Sequence, residues 1–322
     1  MVIEFQNIIA KELNEFDKKF KIILSTKASL LYKVTSYISK NSGKKIRPIC
    51  TILASGLINN INEKTYRSSI LIELLHTATL IHDDIVDDAN IRRSKFSINA
   101  IWKNKISVLS GDYFLAKGLK LAVQNKDFDV LDAISTVVQK IVEGELMQIE
   151  KTKKLNLTEE DYFKIIKLKT GSLFECAFHV GGLKHDGNPD DIQNLIELGS
   201  IIGLLFQIKD DILDYNFSNH SGKQYGNDIQ EGKINLPLLY SLRDMNFLEK
   251  NSTFRILRKK NNSVEELNQV CKLVEKYQGL EKAEHIIENH YKKAVLILKN
   301  FNNSKYKNAT LELLNFLIKR KK

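Results

Sequence analysis

Residues 73–93 read ELLHTATLIHDDIVDDANIRR, and this stretch holds both the pattern that decides the fold and a dense cluster of charge. Around it, apolar side chains recur every three or four positions, the spacing of one buried helix face; they are Ile70, Leu71, Leu74, Leu75, Ala78 and Ile81. The same spacing returns at Leu195, Leu198, Ile202, Leu205, Ile208 and Ile212, and at Ile286, Ile287, Tyr291, Ala294 and Leu298. Convincing strand alternation is lacking, and only 3 Pro interrupt the chain. The sequence therefore predicts an all-α fold.

Composition narrows the class of protein. A chain of 322 residues that is 43% hydrophobic can build a large core, and we expect one domain over residues 1–322 because no linker or repeat divides it. No apolar run approaches the roughly 20 residues that cross a bilayer. The N-terminus carries acids and lacks a cleavage site, and the three scattered cysteines fit neither a disulfide framework nor a zinc site. We therefore expect a cytoplasmic protein.

The formal charge of +10 does not by itself identify a partner. A basic balance suits nucleic acid, a membrane surface or an anionic small substrate. The chain has no basic stripe with interleaved aromatic residues, so we do not expect it to bind nucleic acid.

Local signals place helix starts and loops. Thr158, Ser263 and Asn188 are expected N-caps, and Pro48 and Pro237 can lie in first turns. Polar, glycine-bearing stretches predict loops at 181–189 and 216–228, with a weaker break at 249–263. The sequence Lys169-Thr170-Gly171 is expected to interrupt a helix.

Two acid clusters carry the chemistry, and both follow the pattern D-D-x-x-D. The first is Asp83–Asp88 and the second is Asp210–Asp214. On a helix, residues four apart lie on one face, where two carboxylates repel each other unless a cation neutralises them. Hard oxygen ligands in sparse pairs suit Mg²⁺, which keeps several waters and shares its shell with phosphates. A single acidic helix end is usually a solvated surface, but two that both end apolar helices favour a metal site.

Cations accompany both clusters. Arg92 and Arg93 follow the first, three cations gather in residues 44–47, Lys169 lies in the helix interruption, and Lys223 and Lys233 follow the second cluster. Arginine donates two hydrogen bonds to phosphate oxygens, and lysine supplies a point charge. Together with two Mg²⁺ clusters, these residues indicate a site for diphosphates.

The chain resembles the trans-isoprenyl (polyprenyl) diphosphate synthases from about residue 40 to residue 240. The similar stretches are GKKIRP, ELLHTATLIHDDIVDDANIRR, SVLSGDYFLAKGL, EGELMQI, LKTGSLFE, GLLFQIKDDILDY and GKQYGNDIQEGKINLP. The resemblance implies a helical bundle of the isoprenoid synthase type with a central apolar cavity. It also implies Mg²⁺ as the cofactor and a homodimer.

The resemblance further implies a role for individual residues. Isopentenyl diphosphate would be bound by Lys44, Arg47, His76 and Arg93. The allylic diphosphate would be bound by Arg92, Lys169, Thr170, Gln207, Lys223 and Lys233. Mg²⁺ would be bound by Asp83, Asp84, Asp87, Asp210 and Asp214, and the catalytic set would be Asp83, Asp87, Asp210, Lys169 and Arg92. The sequence departs from the family pattern at Ser42, Lys45, Ser94, Phe96 and Ser97, and these departures change loop residues and leave the charges intact.

Other polar and aromatic residues have simpler interpretations. His82 adjoins the first cluster, but a structural histidine is favoured over a base. Trp102 and Tyr113 are expected to pack, and Cys176 has no neighbour in sequence that would activate it.

The resemblance implies head-to-tail condensation of isopentenyl diphosphate onto an allylic diphosphate by metal-assisted carbocation formation. In this family a bulky residue at the position of Ala78, beside Thr79, stops elongation early. The methyl group here predicts a medium- or long-chain all-trans product of six to eight units, whose lipophilic chain would bring the enzyme to a membrane surface. The alternatives are a short-chain farnesyl or geranylgeranyl synthase, a non-catalytic subunit of a heteromeric synthase, or a class I terpene cyclase.

Overall fold

The computed structural model describes residues 4–41, 43–59, 61–92, 95–183, 188–215, 226–259 and 261–320. Its helices are α1 Glu4–Ile8, α2 Ala10–Leu24, α3 Ser29–Lys40, α4 Ile46–Leu57, α5 Glu63–Val86, α6 Ile98–Gln124, α7 Phe128–Lys154, α8 Glu159–Ile166, α9 Ser172–Gly182, α10 Pro189–Leu213, α11 Asn227–Gln230, α12 Leu236–Asp244, α13 Phe247–Leu257, α14 Val264–Lys276, α15 Gly279–Leu298 and α16 Lys305–Lys319.

The all-α prediction is confirmed. Within the described residues, strand structure is limited to a two-stranded antiparallel pair, β1 (Ile91–Arg92) and β2 (Lys95–Phe96). The expected interruption at residues 169–171 is a π-helical turn, Lys167–Gly171, between α8 and α9. The described helices include none that is long and apolar enough to cross a membrane.

Helix starts follow the predicted caps. Thr158 and Ser263 each accept a hydrogen bond from the backbone three residues on, and each belongs to a complete capping box. Helix α10 begins at Pro189, where the Asn188 side chain accepts from the backbone N–H of Asp190 at 3.1 Å. Pro48 and Pro237 lie in the first turns of α4 and α12.

The predicted buried faces form the core. All six apolar residues predicted on the face of α5, and all six predicted on α10, are at most 9% exposed. On α15, Ile287, Ala294 and Leu298 are buried, whereas Ile286 and Tyr291 are half-buried.

Two predicted loop boundaries differ from the structure. Residues 181 and 182 are helical, because α9 runs to Gly182. Residues 249–257 belong to α13, which Asn246 caps and which buries Thr253, Ile256 and Leu257 on one face. Most of the predicted loop 216–228 lies outside the described residues, but its end forms α11.

The chain divides into two compact units. Unit 1 contains the first acid cluster and comprises Met1–Thr136, Leu173–Gly199 and Asn300–Glu312. Unit 2 contains the second cluster and comprises Val137–Ser172, Ser200–Lys299 and Leu313–Lys322. The expectations of one domain over 1–322 and of a central apolar cavity stay predictions.

Candidate active site

The first acid cluster lies at the C-terminal end of α5. Asp83 is in the last turn, and the backbone N–H of Asp87 donates to its carbonyl at 2.9 Å. Asp83 is half-buried and Asp87 is exposed, whereas Asp84 is 3% exposed and accepts a hydrogen bond from Nε of Arg92 at 2.5 Å. The middle carboxylate therefore fixes an arginine, and the outer two face more open surroundings.

The second cluster repeats this arrangement at the end of α10. The backbone N–H of Asp214 donates to the Asp210 carbonyl at 3.1 Å. Asp211 is 3% exposed, and its carboxylate accepts from Tyr162 Oη at 2.6 Å, from Gln207 Nε2 at 2.9 Å and from the backbone N–H of Leu236 at 3.2 Å. Again the middle carboxylate is buried and bound by donors.

Asp210 has a cationic partner from the end of the chain. Arg320 Nη2 lies 2.8 Å from Asp210 Oδ1, and the arginine side chain is only 7% exposed whereas that of Asp210 is 43% exposed. The guanidinium also donates to the Phe206 carbonyl at 2.6 Å and lies 4.3 Å from the centre of its ring. A positive charge is thus already accommodated beside Asp210.

Both clusters are electrostatically costly without a cation. The C-terminal end of a helix carries a partial negative charge, so carboxylates are disfavoured there. Burial raises the pKa of Asp211 to about 7, with repulsion from Asp228 as the second cause. The same two causes, in the same order, raise the pKa of Asp214 to about 7.

Unit 1 has a cavity of about 340 Å³ beside the first cluster. Its lining includes His76, Asp84, Arg92 and two lysines, Lys40 and Lys95. Arg47 Nη1 lies 2.9 Å from His76 Nε2. Because a guanidinium only donates, a hydrogen bond between these two groups requires that this histidine nitrogen accepts.

The other residues predicted to bind isopentenyl diphosphate are only partly placed. Lys44 lies just before α4, where its carbonyl accepts from Gln6 Nε2 at 3.2 Å. The neighbouring Lys45 is ion-paired with Asp17 at 2.6 Å. Arg93 lies outside the described residues. Arg92, which the resemblance assigns to the allylic set, lines the same cavity as His76.

Unit 2 brings four of the predicted allylic-site residues together around a cavity of about 180 Å³; they are Lys169, Thr170, Gln207 and Lys233. Thr170 Oγ1 donates to Gln207 Oε1 at 2.8 Å, and Gln207 in turn donates to Asp211. Lys169 Nζ donates to Gln148 Oε1 at 2.9 Å and is ion-paired with Glu145. Lys223 lies outside the described residues.

Carboxylates in the described parts of the chain do not by themselves complete a metal site. No group of three or more His, Cys, Asp or Glu side chains there is arranged to hold an ion. Any metal would need further oxygen ligands from water or a bound anion, which is how Mg²⁺ is usually held at phosphate sites.

His82 contacts α6 behind the first cluster. Its Nε2 lies 3.3 Å from the Val108 carbonyl and 3.6 Å from the Asp112 carboxylate. A Cβ added at Gly111 would lie 2.2 Å from His82 Nε2, so the glycine makes room for the ring. This agrees with a structural histidine. Trp102 and Tyr113 pack edge-to-face against Tyr37 and Phe114, and Cys176 is buried.

The two residues predicted to set chain length lie one turn before Asp83. Ala78 is completely buried, and Thr79 Oγ1 donates to the His76 carbonyl at 3.0 Å.

Sequence reasoning missed several residues of the second site. Tyr162 and Arg320 contact the acid cluster, and Asp228 and Asn235 line the unit 2 cavity and are joined by a hydrogen bond of 2.9 Å. Asp228 and Asn235 lie inside the stretch GKQYGNDIQEGKINLP. That stretch was already assigned to the site for its lysines, so its other polar residues were candidates for holding those lysines in place. Tyr162 and Arg320 have no such local signal.

The sequence is similar to known proteins over most of its length. Residues 28–274 match the family model "Polyprenyl synthetase". The chain is 36% identical over 220 residues to an octaprenyl diphosphate synthase of Escherichia coli, covering 68% of each. It is 32% identical to a geranyl-diphosphate-specific all-trans-nonaprenyl-diphosphate synthase of Rhodobacter capsulatus, covering 99% of each. Geranylgeranyl diphosphate synthases also match.

A solved structure is similar over nearly the whole chain. The crystal structure of a polyprenyl synthase from Caulobacter crescentus, complexed with calcium and isoprenyl diphosphate, has a TM-score of 0.92 and 27% identity, and it covers 99% of this chain and 97% of the other.

Proposed function

The chain belongs to the polyprenyl synthetase family, and from that premise we propose that it condenses isopentenyl diphosphate head-to-tail onto an allylic diphosphate to make a medium- or long-chain all-trans polyprenyl diphosphate. The observation that carries the proposal is the gathering of Lys169, Thr170, Gln207 and Lys233 around one cavity that Asp211 also lines. Cations and hydrogen-bond donors beside a carboxylate cluster suit a diphosphate and its counter-ions.

Mg²⁺ is the proposed cofactor, bound through Asp83, Asp87 and Asp210. The fit rests on two features: carboxylates placed at the negative ends of helices, and a cation already seated on Asp210. When bound, Mg²⁺ supplies positive charge to the diphosphate leaving group. Asp84 has a different task in this proposal, since it orients Arg92.

The chain's own residues contribute charge and exclusion of water. Ionisation of an allylic diphosphate leaves a carbocation and a diphosphate anion, and fixed Lys and Arg side chains stabilise the charge that develops on the anion. In unit 2, the Thr170–Gln207–Asp211 hydrogen bonds hold the cavity wall in one arrangement. The double bond of isopentenyl diphosphate then attacks the cation, and the released diphosphate takes the final proton. No protein nucleophile is required.

We also propose that the protein is a homodimer that uses α6. After a kink at Lys103, one surface of this helix exposes large apolar side chains; they are Val108, Leu109, Leu119 and Val123, each more than 40% exposed. Repeated apolar exposure along one helix is typical of an interface. Light scattering should give twice the chain mass, and Leu109→Glu should shift the protein toward monomer.

Incubation with labelled isopentenyl diphosphate, farnesyl diphosphate and Mg²⁺ tests the function. We expect a dephosphorylated product longer than farnesol on chromatography, and complete loss of product with EDTA. A cyclised hydrocarbon would indicate a terpene cyclase. No turnover of any allylic primer by the folded protein would favour a non-catalytic subunit.

Substitution tests the metal proposal separately. Asp83→Ala and Asp210→Ala should each reduce turnover by about two orders of magnitude or more, because each removes a ligand of the metal ion that would offset leaving-group charge. Circular dichroism should stay unchanged. Near-normal activity in either variant would contradict the ligand assignment.

A further inference from the structure

We propose that Asp214, the last residue of the second acid cluster, is a positioning residue that fastens the Asn227–Lys233 segment to the end of α10, and is not a metal ligand. This inference rests on the proposed function and deepens it, because it assigns separate tasks to the carboxylates of one cluster.

Both oxygens of the Asp214 carboxylate are engaged by backbone groups of α11. Oδ1 accepts from the N–H of Asn227 at 3.1 Å, and Oδ2 accepts from the N–H of Asp228 at 3.1 Å. The Asp214 carbonyl accepts a third bond, from the N–H of Gly226 at 3.0 Å. Three bonds from consecutive residues therefore tie the start of α11 directly to Asp214.

The same segment leads directly to the cavity lysine. The backbone N–H of Lys233 donates to the Asp228 carbonyl at 2.7 Å, which closes the turn that follows α11. Lys233 and Asp228 both line the unit 2 cavity, and the Lys233 ammonium is ion-paired with Glu231. A shift of α11 would thus displace Lys233 with it.

A second set of bonds holds the far side of the turn. Asn235 Nδ2 donates to Asp228 Oδ2 at 2.9 Å, and Tyr215 Oη donates to Asn235 Oδ1 at 2.6 Å. Because Tyr215 directly follows Asp214, both sets of bonds begin just beyond the end of α10. The geometry fixes the distance between the second acid cluster and Lys233.

Asp210 differs from Asp214 in the nature of its partner. Its side chain is 43% exposed and pairs with a guanidinium, a cation that a metal ion could replace. A metal at Asp214 would instead compete with the two backbone N–H groups that already donate to both of its carboxylate oxygens. The structure therefore favours Asp210 as a metal ligand and Asp214 as the residue that holds the backbone of α11.

A double-mutant cycle tests the proposal. Asp214→Ala and Lys233→Met should each raise the Michaelis constant for the allylic diphosphate about tenfold, the effect of losing one charge-assisted hydrogen bond. The constant for isopentenyl diphosphate should change less than twofold. The allylic Michaelis constant of the double variant should not exceed that of Lys233→Met alone, because Asp214 acts through Lys233. Multiplicative effects would overturn the proposal.

Two further measurements separate positioning from metal binding. Electron paramagnetic resonance titration with Mn²⁺ alone should show affinity within about twofold of wild type for Asp214→Ala, and at least tenfold weaker for Asp210→Ala as the matched control. Equal loss in both variants would contradict the proposal. Asp214→Asn keeps one acceptor oxygen and should recover part of the kinetic loss, whereas a ligand role would make it as poor as alanine.

The proposed function can fail independently. If the wild-type protein makes no prenyl product, binding of inorganic diphosphate still reports on the segment. Asp214→Ala and Lys233→Met should then weaken that binding equally, and unequal weakening would overturn the inference by itself.

Discussion

Arg47 is held in place more firmly than a surface cation would be. Its guanidinium contacts His76 at 2.9 Å and lies 4.8 Å from the centre of the Phe174 ring. We predict that Arg47→Ala raises the Michaelis constant for isopentenyl diphosphate at least tenfold and the allylic constant by less, because charge-assisted bonds to a diphosphate contribute about 1.5–3 kcal/mol each. Steady-state kinetics with each substrate varied in turn would measure this.

A second arginine of unit 1 is the matched control for Arg47. Arg67 forms a two-point ion pair with Asp127, at 2.6 and 2.9 Å, and does not line the cavity beside the first acid cluster. Arg67→Ala should lower thermal stability without changing the ratio of the two Michaelis constants. If Arg47→Ala affects the allylic constant more, the assignment of Arg47 is wrong.

At the residue scale, the sequence locates both acid clusters but does not assign their members. Asp83 and Asp84 are equivalent in sequence, as are Asp210 and Asp211. One residue along a helix rotates the side chain by about 100°, which moves the second carboxylate of each pair onto the packed face. Its role then depends on what packs there, Arg92 in one case and Tyr162 in the other. Neither contact leaves a local signal.

At the scale of elements, periodicity and capping residues were sufficient for most helices, and failures occurred where packing decides. Gly181 suggests a loop, yet a Cβ there would lie 2.5 Å from the Thr51 carbonyl, so the glycine allows α9 to approach α4. Residues 249–257 are mostly polar because α13 buries only one stripe of side chains. That single buried stripe is sufficient for a helix. Composition cannot distinguish such glycines or such surface helices from loops.

The contact between α5 and α6 supports the first acid cluster. We predict that Gly111→Ala displaces the His82 ring, disturbs the end of α5 and lowers turnover about tenfold, because a Cβ would lie 2.2 Å from His82 Nε2. Gly118→Ala, on the same helix, is the control, since its nearest neighbour would lie at an ordinary 3.8 Å. Turnover rates and Mn²⁺ affinities of the two variants would check this, and equal behaviour would contradict it.

Helix α5 is also the element on which product length is predicted to depend. Ala78 precedes Asp83 by five residues, which is about 7.5 Å along the helix axis. We predict that Ala78→Tyr shortens the product to about three or four isoprene units and leaves condensation intact, because a phenol ring there would obstruct a growing chain without touching the carboxylates. Chromatography of dephosphorylated products measures the effect.

Two outcomes would contradict the prediction that Ala78 controls product length. One is a wild-type product of only three units, which would place the enzyme among the short-chain synthases. The other is an unchanged product distribution in a folded Ala78→Tyr protein. In that case the complete burial of Ala78 serves close helix packing alone.

At the scale of the whole molecule, the two ends of the chain meet within unit 1. The Glu12 carboxylate of α2 accepts hydrogen bonds from Lys305 Nζ and Tyr306 Oη, both at 2.8 Å, across 293 and 294 residues. The sequence does not reveal this contact, because partners this far apart leave no periodic signal. Glu12 is buried in the structure, but in the sequence of an amphipathic helix it cannot be distinguished from a solvated glutamate.

This pairing predicts a stability effect with a defined pH dependence. Burial alone would raise the pKa of Glu12, but hydrogen bonds from Lys305 and Tyr306 outweigh it and the pKa is lowered below its ordinary value of 4.5. A group whose pKa is lowered in the folded state stabilises the protein above its unfolded pKa, and this stabilisation is lost as the pH falls through the folded-state pKa.

We predict that Lys305→Met lowers the free energy of unfolding by about 1–2 kcal/mol at pH 7, a value discounted because the lysine is half-exposed. As the pH falls below the ordinary pKa and through the lowered pKa of Glu12, the difference from wild type should shrink because Glu12 becomes protonated. Lys11→Met, an exposed neighbour on α2, should change little at either pH. Urea unfolding at pH 7 and pH 3.5 measures both variants, and a Lys305→Met deficit that stays constant in acid would show that packing of the lysine stem, and not its charge, stabilises the junction.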